Sequence, residues 1–420
     1  MTRSPSAQTL ARPRATKSAA GTVALALAAL AFSPASATGS ALPSSSTTLA
    51  GGGTAAAVRP PTHQLFYEIE ARTHRWTLAQ AVEHAKGYDV IIALRFSYTR
   101  EMVAAMRKVN PSLRLVVYSN GTLAQTAQKN TFPDSWYLKD KNGFKIQNDW
   151  KLWLMDPVNP AWLQNRALQC QDFLAKSGYD SCYLDNMGYG FIKYNPLTGK
   201  PINPRTRALY TFADWQRDTI AATSYVAARV NQPVIPNGII NGGVYFGNPA
   251  SKPLLTAGDG ALAEVFLRTS SQSATWVPST AAWKQDLSML MDAARLGKPL
   301  HVTTKIWSPA TPAQLARWRD LTYATFLIGS DAVKSTVHFA GAEFEVPFVY
   351  NGPMSRVGMP SGALRVTNDV YQRNFTNGIA LVNPSGGART LNLGSPYRTE
   401  SGKIIYSITL APMTGAILTR

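Results

Sequence analysis

The chain has 420 residues, a formal net charge of +18 and a hydrophobic content of 45%, length enough for one large domain and a smaller one with ample cores. Its two cysteines and five histidines lack metal-ligand spacing, no compact Lys/Arg cluster is interleaved with aromatics, and no segment is apolar for long enough to span a bilayer. These features argue against a structural zinc site, a nucleic-acid partner and a membrane span, whereas a balance this basic suits an anionic surface such as a cell wall or acidic polysaccharide.

In chain order, Arg3, Arg12, Arg14 and Lys17 precede a short apolar run over 23–32 and the small-residue site Ala35-Ser36-Ala37. This is the pattern of a signal peptide over 1–37, and it predicts a secreted, extracellular protein. No cysteine follows the cleavage site, which argues against a lipid anchor, and 38–61 reads as a flexible low-complexity lead.

From residue 65 to about 341, short apolar runs alternate with helical periodicity. Strands are predicted over 65–70, 89–96, 113–120, 181–186, 234–237, 261–267, 300–307 and 336–339, each a near-continuous apolar run suited to a strand buried on both faces. Helices are predicted over 99–110, 160–177, 210–230, 279–296 and 312–329. Ser279 and Thr311 serve as N-caps, Pro312 opens a helix, and Gly178, Gly297 and Gly329 serve as stops. Eight such strands in about 275 residues match a (β/α)8 TIM barrel. A doubly wound sheet fits less well, because Glu68-Ile69-Glu70-Ala71-Arg72 follows the first strand where a Gly-rich phosphate loop would stand. After Gly341 the helical period gives way to alternation around Asn377-Gly378, Pro384-Ser385-Gly386-Gly387 and Gly402-Lys403, the signature of a small antiparallel β-domain. The expected architecture is therefore an α/β barrel over 62–345 followed by a β-sandwich-like domain over 346–420. Cys170 falls on a helix and Cys182 on the next strand, so a disulfide and two buried thiols are both open readings.

The functional question centres on Gly178-Tyr179-Asp180-Ser181-Cys182-Tyr183-Leu184-Asp185-Asn186, an apolar strand ending in a carboxylate and an amide. Barrel active sites are built at the carboxyl ends of the strands. The polar residues at those ends are Glu68, Glu70, Arg95, Tyr118, Asn120, Asp185, Asn186, Asn237, Glu264, Arg268, Lys305, Trp307 and His338, with Asp156 in the long connection after the third strand. Most such residues in any barrel are solvated or structural. Asp185 and Glu264 stand out because their spacing puts them on the fourth and sixth strands, two steps around the ring, where two carboxyls can face one another. Cleavage of a glycosidic bond needs such a pair. The apolar flanks of Glu264, Leu262-Ala263 and Val265-Phe266, predict desolvation and a proton-donor role. Asp185, beside an open loop, is then the nucleophile or base. The bland alternatives are an ion pair of Glu264 with Arg268 and a turn-capping role for Asp185.

The connection over 122–155 is rich in aromatics, including Trp136 and Trp153. These rings can bind a sugar face or simply pin the loop.

Several segments together resemble the hypothetical glycosyl hydrolase 15-like group, barrel proteins distantly akin to α-amylase-like and endo-α-1,4-polygalactosaminidase families. They are Trp136-Tyr137-Leu138-Lys139-Asp140, Leu154-Met155-Asp156-Pro157-Val158-Asn159-Pro160-Ala161-Trp162, Tyr183-Leu184-Asp185-Asn186, Ala263-Glu264-Val265-Phe266 and the tail around Tyr371-Gln372-Arg373-Asn374-Phe375. The resemblance implies a nucleophile at Asp185, an acid at Glu264 and a structural or substrate-contacting acid at Asp156. Tyr183 departs from the amylase-like pattern, which has arginine two residues before the nucleophile, and this argues against α-glucan specificity. The expectation is a secreted glycoside hydrolase acting on a polysaccharide, with no metal or organic cofactor. Its rivals are a non-catalytic carbohydrate-binding protein on the same scaffold and a transglycosylase.

Overall fold

A computed structural model describes residues 62–67, 76–188, 190–341 and 352–420. The predicted signal peptide and lead, and the candidates Glu68 and Glu70, lie outside these residues.

The barrel strands are β1 (Leu65–Tyr67), β2 (Val90–Ala93), β3 (Arg114–Asn120), β6 (Ser181–Asp185), β7 (Val234–Ile239), β8 (Ala261–Ala263), β9 (Leu300–Lys305) and β10 (Val337–Ala340). They pair in parallel in the order β1-β2-β3-β6-β7-β8-β9-β10. The ring closes where Val337 N donates to His63 O at 3.0 Å, beside a parallel bridge between Gln64 and Val337. The inserted β4 (Leu123–Ala124) and β5 (Trp153–Leu154) form a two-stranded ribbon on the connection after β3.

The long outer helices are α1 (Leu78–Gly87), α2 (Arg100–Val109), α3 (Pro160–Ser177), α5 (Phe212–Ala227), α8 (Thr280–Arg295) and α9 (Pro312–Gly329). Between them lie the short α4 (Gly190–Tyr194), α6 (Gly242–Gly247) and α7 (Ser251–Ala257). Sequence periodicity misses α1, α4, α6 and α7; the last three are too short to repeat an apolar face. The predicted caps form as expected. Ser279 accepts from Ala282 N, and Thr311 from Gln314 N within a capping box that precedes Pro312. Gly178 takes the left-handed conformation at φ 73° that ends α3. Gly329 differs from its reading as a stop. It stays helical, and its missing side chain leaves room for Leu287, whose Cδ1 would lie 2.7 Å from a Cβ there.

Inside the ring, Leu65, Tyr67, Val90, Ile92, Val116, Tyr183, Ile235 and Leu262 form a separate apolar core, with the helices packed on the other face of each strand. Alternate residues of a strand point to opposite faces, so β6 sends Ser181, Tyr183 and Asp185 inward from bottom to top. Cys170 on α3 and Cys182 on β6 form a disulfide, which resolves the two readings left by the sequence.

The terminal sheet comprises β11 (Arg365–Thr367), β12 (Val370–Phe375), β13 (Gly378–Asn383), β14 (Arg389–Arg398), β15 (Ile404–Leu410) and β16 (Thr414–Thr419). It is antiparallel, in the order β11-β12-β13-β16-β14-β15. On one face Ile379, Leu381 and Leu418 cluster with Leu391, Tyr397 and Leu410 of the β14–β15 hairpin. On the other, Ala380, Val382 and Ile417 join the barrel core near α9. The structure therefore has the expected (β/α)8 barrel and small antiparallel β-domain. No helix among the described residues is long and apolar enough to cross a membrane.

Candidate active site

β6 and β3 run in register so that Asn120 pairs with Asp185 and Tyr118 with Tyr183. The Tyr118 hydroxyl donates to Asp185 Oδ2 at 2.7 Å, and Asn120 Nδ2 donates to the Tyr118 oxygen at 3.3 Å. At the end of β6 the backbone turns left-handed at Asn186, φ 62°, a conformation asparagine tolerates better than most residues. That turn aims both nitrogens of Asn186 back at the acid: its N–H reaches Oδ1 at 2.8 Å and its Nδ2 reaches Oδ2 at 3.1 Å.

From β7, Asn237 Nδ2 donates to Asp185 Oδ1 at 2.8 Å and to Glu264 Oε1 at 3.0 Å. Two bonds from one nitrogen hold the facing oxygens of the two carboxylates no more than about 6 Å apart. Gly238 maintains this arrangement, since a Cβ there would lie 2.2 Å from Met187 O, and Met187 N bonds Asn237 O at 2.8 Å. The loop after β6 is thus tied directly to the strand that carries the bridging amide.

The exposures reverse the expectation from sequence. Asp185 is only 8% exposed, whereas the Glu264 side chain is 31% exposed. The reason is strand length: β8 stops at Ala263, so Glu264 has already left the sheet, while Asp185 is still inside β6 and enclosed by Tyr118, Asn186 and Asn237. Burial, then the charge of Glu264, push the Asp185 carboxyl above its ordinary range, against the hydrogen bonds of Asn237, Tyr118 and Asn186, which favour the ionised form.

Lys305 Nζ, at the end of β9, lies 3.6 Å from Glu264 Oε2, 5.5 Å from the Tyr67 ring centroid and 5.6 Å from that of Trp307. Trp307 leaves 49% of its surface exposed beside this group. Below, Tyr67 and Tyr183 share a hydroxyl contact of 3.1 Å, and burial holds both phenols well above their ordinary range. His338 is buried, and burial followed by the Lys305 charge pushes it down to about 3, leaving a neutral ring.

Tyr118, Asn120, Asp185, Asn186, Asn237, Glu264, Lys305 and Trp307 are thus brought together, with His338 beside Lys305. Other candidates are not. Arg268 is buried in its own loop, donating to Thr269 O and Gln272 O with its guanidinium 4.6 Å from the Trp318 ring. The ion-pair partner of Glu264 is Lys305, so the alternative pairing with Arg268 does not occur. Arg95 stacks at 5.0 Å on Phe173 of α3. Asp156 is buried and pairs at 3.7 Å with Arg205 of the connection between α4 and α5. Trp136 stacks on Phe132, and Trp153 is buried with its indole N–H bonded to Thr126 O. These two rings pin their loop.

Sequence reading missed Asp286 on α8. It is buried and accepts from Gly242 N at 2.6 Å and Leu267 N at 3.1 Å, so it anchors the segment that follows Glu264. The available signal was an acid on the apolar face marked by Trp283, Leu287 and Leu290.

The family described as hypothetical glycosyl hydrolase family 15 matches residues 107–379. Among solved structures, the glycoside hydrolase domain of PelA from Pseudomonas aeruginosa is similar at 12% identity and a TM-score of 0.42, covering 67% of this chain and 95% of that one. The maltogenic α-amylase AmyB from Thermotoga neapolitana is similar at 10% identity and a TM-score of 0.47, over 86% and 99% of the two chains. An α-amylase from Geobacillus thermoleovorans gives 9% identity and a TM-score of 0.46, over 86% and 98%. No curated protein matches the chain.

Proposed function

Because the chain belongs to the hypothetical glycosyl hydrolase family 15, we propose that it is a retaining glycoside hydrolase with Asp185 as nucleophile and Glu264 as acid/base. The observation that carries this reading is the single Asn237 amide bonded to both carboxylates. Facing oxygens within about 6 Å of one another sit nearer the roughly 5–5.5 Å between carboxyl groups of retaining enzymes than the 6.5–9.5 Å that admits a water in inversion.

The roles follow from hydrogen bonding. Each oxygen of Asp185 already accepts from two donors, which suits a fixed, ionised carboxylate. Glu264 is more open to water, as a group that must be reprotonated every cycle should be. In the first step an Asp185 oxygen bonds to the anomeric carbon, the bond to the leaving oxygen breaks, and Glu264 gives that oxygen its proton. In the second step Glu264 takes a proton from water, whose oxygen displaces Asp185 from the anomeric carbon. The Lys305 ammonium stands where it stabilises the negative charge on Glu264 between the two steps.

The substrate class that fits is a polysaccharide. Trp307 offers a half-exposed ring beside the acids, and the basic balance of the chain favours an anionic or cell-surface polymer. The leader pattern supports secretion. The test is hydrolysis of a panel of cell-surface polysaccharides with proton NMR of the first-formed product. Retention of anomeric configuration is expected, with turnover reduced about four orders of magnitude in Asp185→Asn and about 10²–10⁴-fold in Glu264→Gln. Inverted product, or normal turnover in either variant, defeats the assignment.

A further inference from the structure

A cavity of about 300 Å³ opens at the opposite end of the barrel, where β3, β6 and β9 begin. Three cations line it, Arg114, Lys298 and Lys334. Their recorded hydrogen bonds are to neutral carbonyls: Arg114 donates to Lys334 O at 2.7 Å and Lys298 to Gly258 O at 2.8 Å. Among the described residues none of the three forms an ion pair. Arg114 is half-buried, and burial lowers its affinity for its proton against the opposing charges of Asp89, Asp331 and Asp180, none of which pairs with it directly.

Two carboxylates also reach the cavity, and both are engaged in holding strand starts. Asp180 accepts from Leu115 N and is neutralised by Arg107. Asp259 accepts from Val234 N at 2.9 Å. The lining itself therefore carries three cations against two carboxylates, one of them paired elsewhere.

Deeper in, His301 is fully buried, with Nδ1 2.7 Å from Thr336 Oγ1 and Nε2 without a hydrogen-bond partner. Buried polar atoms are paired in the great majority of cases. Burial pushes this ring down to about 3, so it is neutral. Val90, Val116 and Ile235 supply apolar wall in the same cavity. Tyr183 stands between Ser181 at this floor and Asp185 at the catalytic end, so the cavity is separate from the acid pair.

We propose that this basal cavity is a second binding site, for a small amphiphilic carboxylate. Its carboxylate meets Arg114, Lys298 and Lys334, its apolar body lies along Val116 and Ile235, and a polar atom at its far end pairs with His301 Nε2. At about 30 Å³ per water the volume holds roughly ten waters, which is room for a single-ring acid.

The test uses 4-hydroxybenzoate as probe and 4-hydroxybenzamide, its uncharged analogue, as control, on the full chain by calorimetry and thermal melting. Expected are saturable one-to-one binding of the acid with a Tm rise of roughly 2 °C or more and no response to the amide. Affinity should fall at least tenfold in Arg114→Gln and be unchanged in Glu264→Gln. Should Arg114→Gln fail to fold, Lys298→Gln and Lys334→Gln together serve the same comparison, with the same loss expected. Absence of saturable binding, an equal response to the amide, or equal binding by the cation variants overturns the site. Loss of binding in Glu264→Gln would place the probe at the acid pair and overturns it equally.

Discussion

Asp185 and Glu264 each accept a hydrogen bond from the same nitrogen, Asn237 Nδ2, at 2.8 and 3.0 Å. Two acids separated by 79 positions in the sequence are thereby spaced by one amide. Both protons of the amide are thus shared out between the two acids. The other oxygen of Glu264, Oε2, is turned toward Lys305.

Replacing that amide therefore tests the spacing. In Asn237→Ala the two acids lose their common donor, and kcat should fall about 10²–10³-fold with a smaller effect on KM. Asn237→Asp adds a third negative charge and should move the acid limb of the kcat/KM profile to higher pH, since a neighbouring anion raises carboxyl pKa values. Steady-state rates from pH 4 to 9 check both.

The burial of Asp185 predicts an exchange of stability for activity. Its folded pKa is raised above the unfolded value, so the folded state binds the proton more tightly. The associated stability is complete below the unfolded value and is lost as pH rises through the folded one. At neutral pH the wild-type protein should therefore melt below Asp185→Asn, and the difference should shrink toward pH 4. Scanning calorimetry of the two proteins at pH 4 and 7.5 would reveal an error of sign.

Asp286 carries the same sign at a different place. Burial pushes it up to about 7, opposed by the amides of Gly242 and Leu267. Between about pH 4 and 7 the native state binds more protons at this residue than the unfolded chain does, so its contribution to stability declines as pH rises. In Asp286→Asn the dependence of Tm on pH over that interval should flatten. Leu267, held at φ 65° by this acid, lies three positions after Glu264, so kcat of the variant should fall as well. An unchanged Tm slope would mean that the carboxyl titrates in its ordinary range.

The disulfide closes a short loop of sequence separation 12. Loop-closure entropy of that size is worth about 3 kcal/mol. Cys170→Ser with Cys182→Ser should lower the unfolding free energy by roughly 2–4 kcal/mol, read from urea denaturation. Since Cys182 shares β6 with Asp185, a loss of activity in the folded variant would indicate that the bond also steadies Asp185.

Much of this molecule is legible in the amino-acid order because the relevant forces are local. Near-continuous apolar runs announce strands buried on both faces, and Ser279, Thr311 and Gly178 mark helix ends through contacts within a few residues. The alternation of helix and strand specifies a barrel, and a barrel puts Asp185 and Glu264 at one rim. Exposure was not legible, because it depends on where each strand stops against its neighbours. β8 ends at Ala263 and releases Glu264 to water, whereas β6 keeps Asp185 enclosed. The shared amide of Asn237, the cation beside Glu264 and the unpaired nitrogen of His301 likewise arise from contacts between strands far apart in the chain. Periodicity and capping act over a turn or two, while burial and pairing belong to the closed ring, and the chemistry is set by the second.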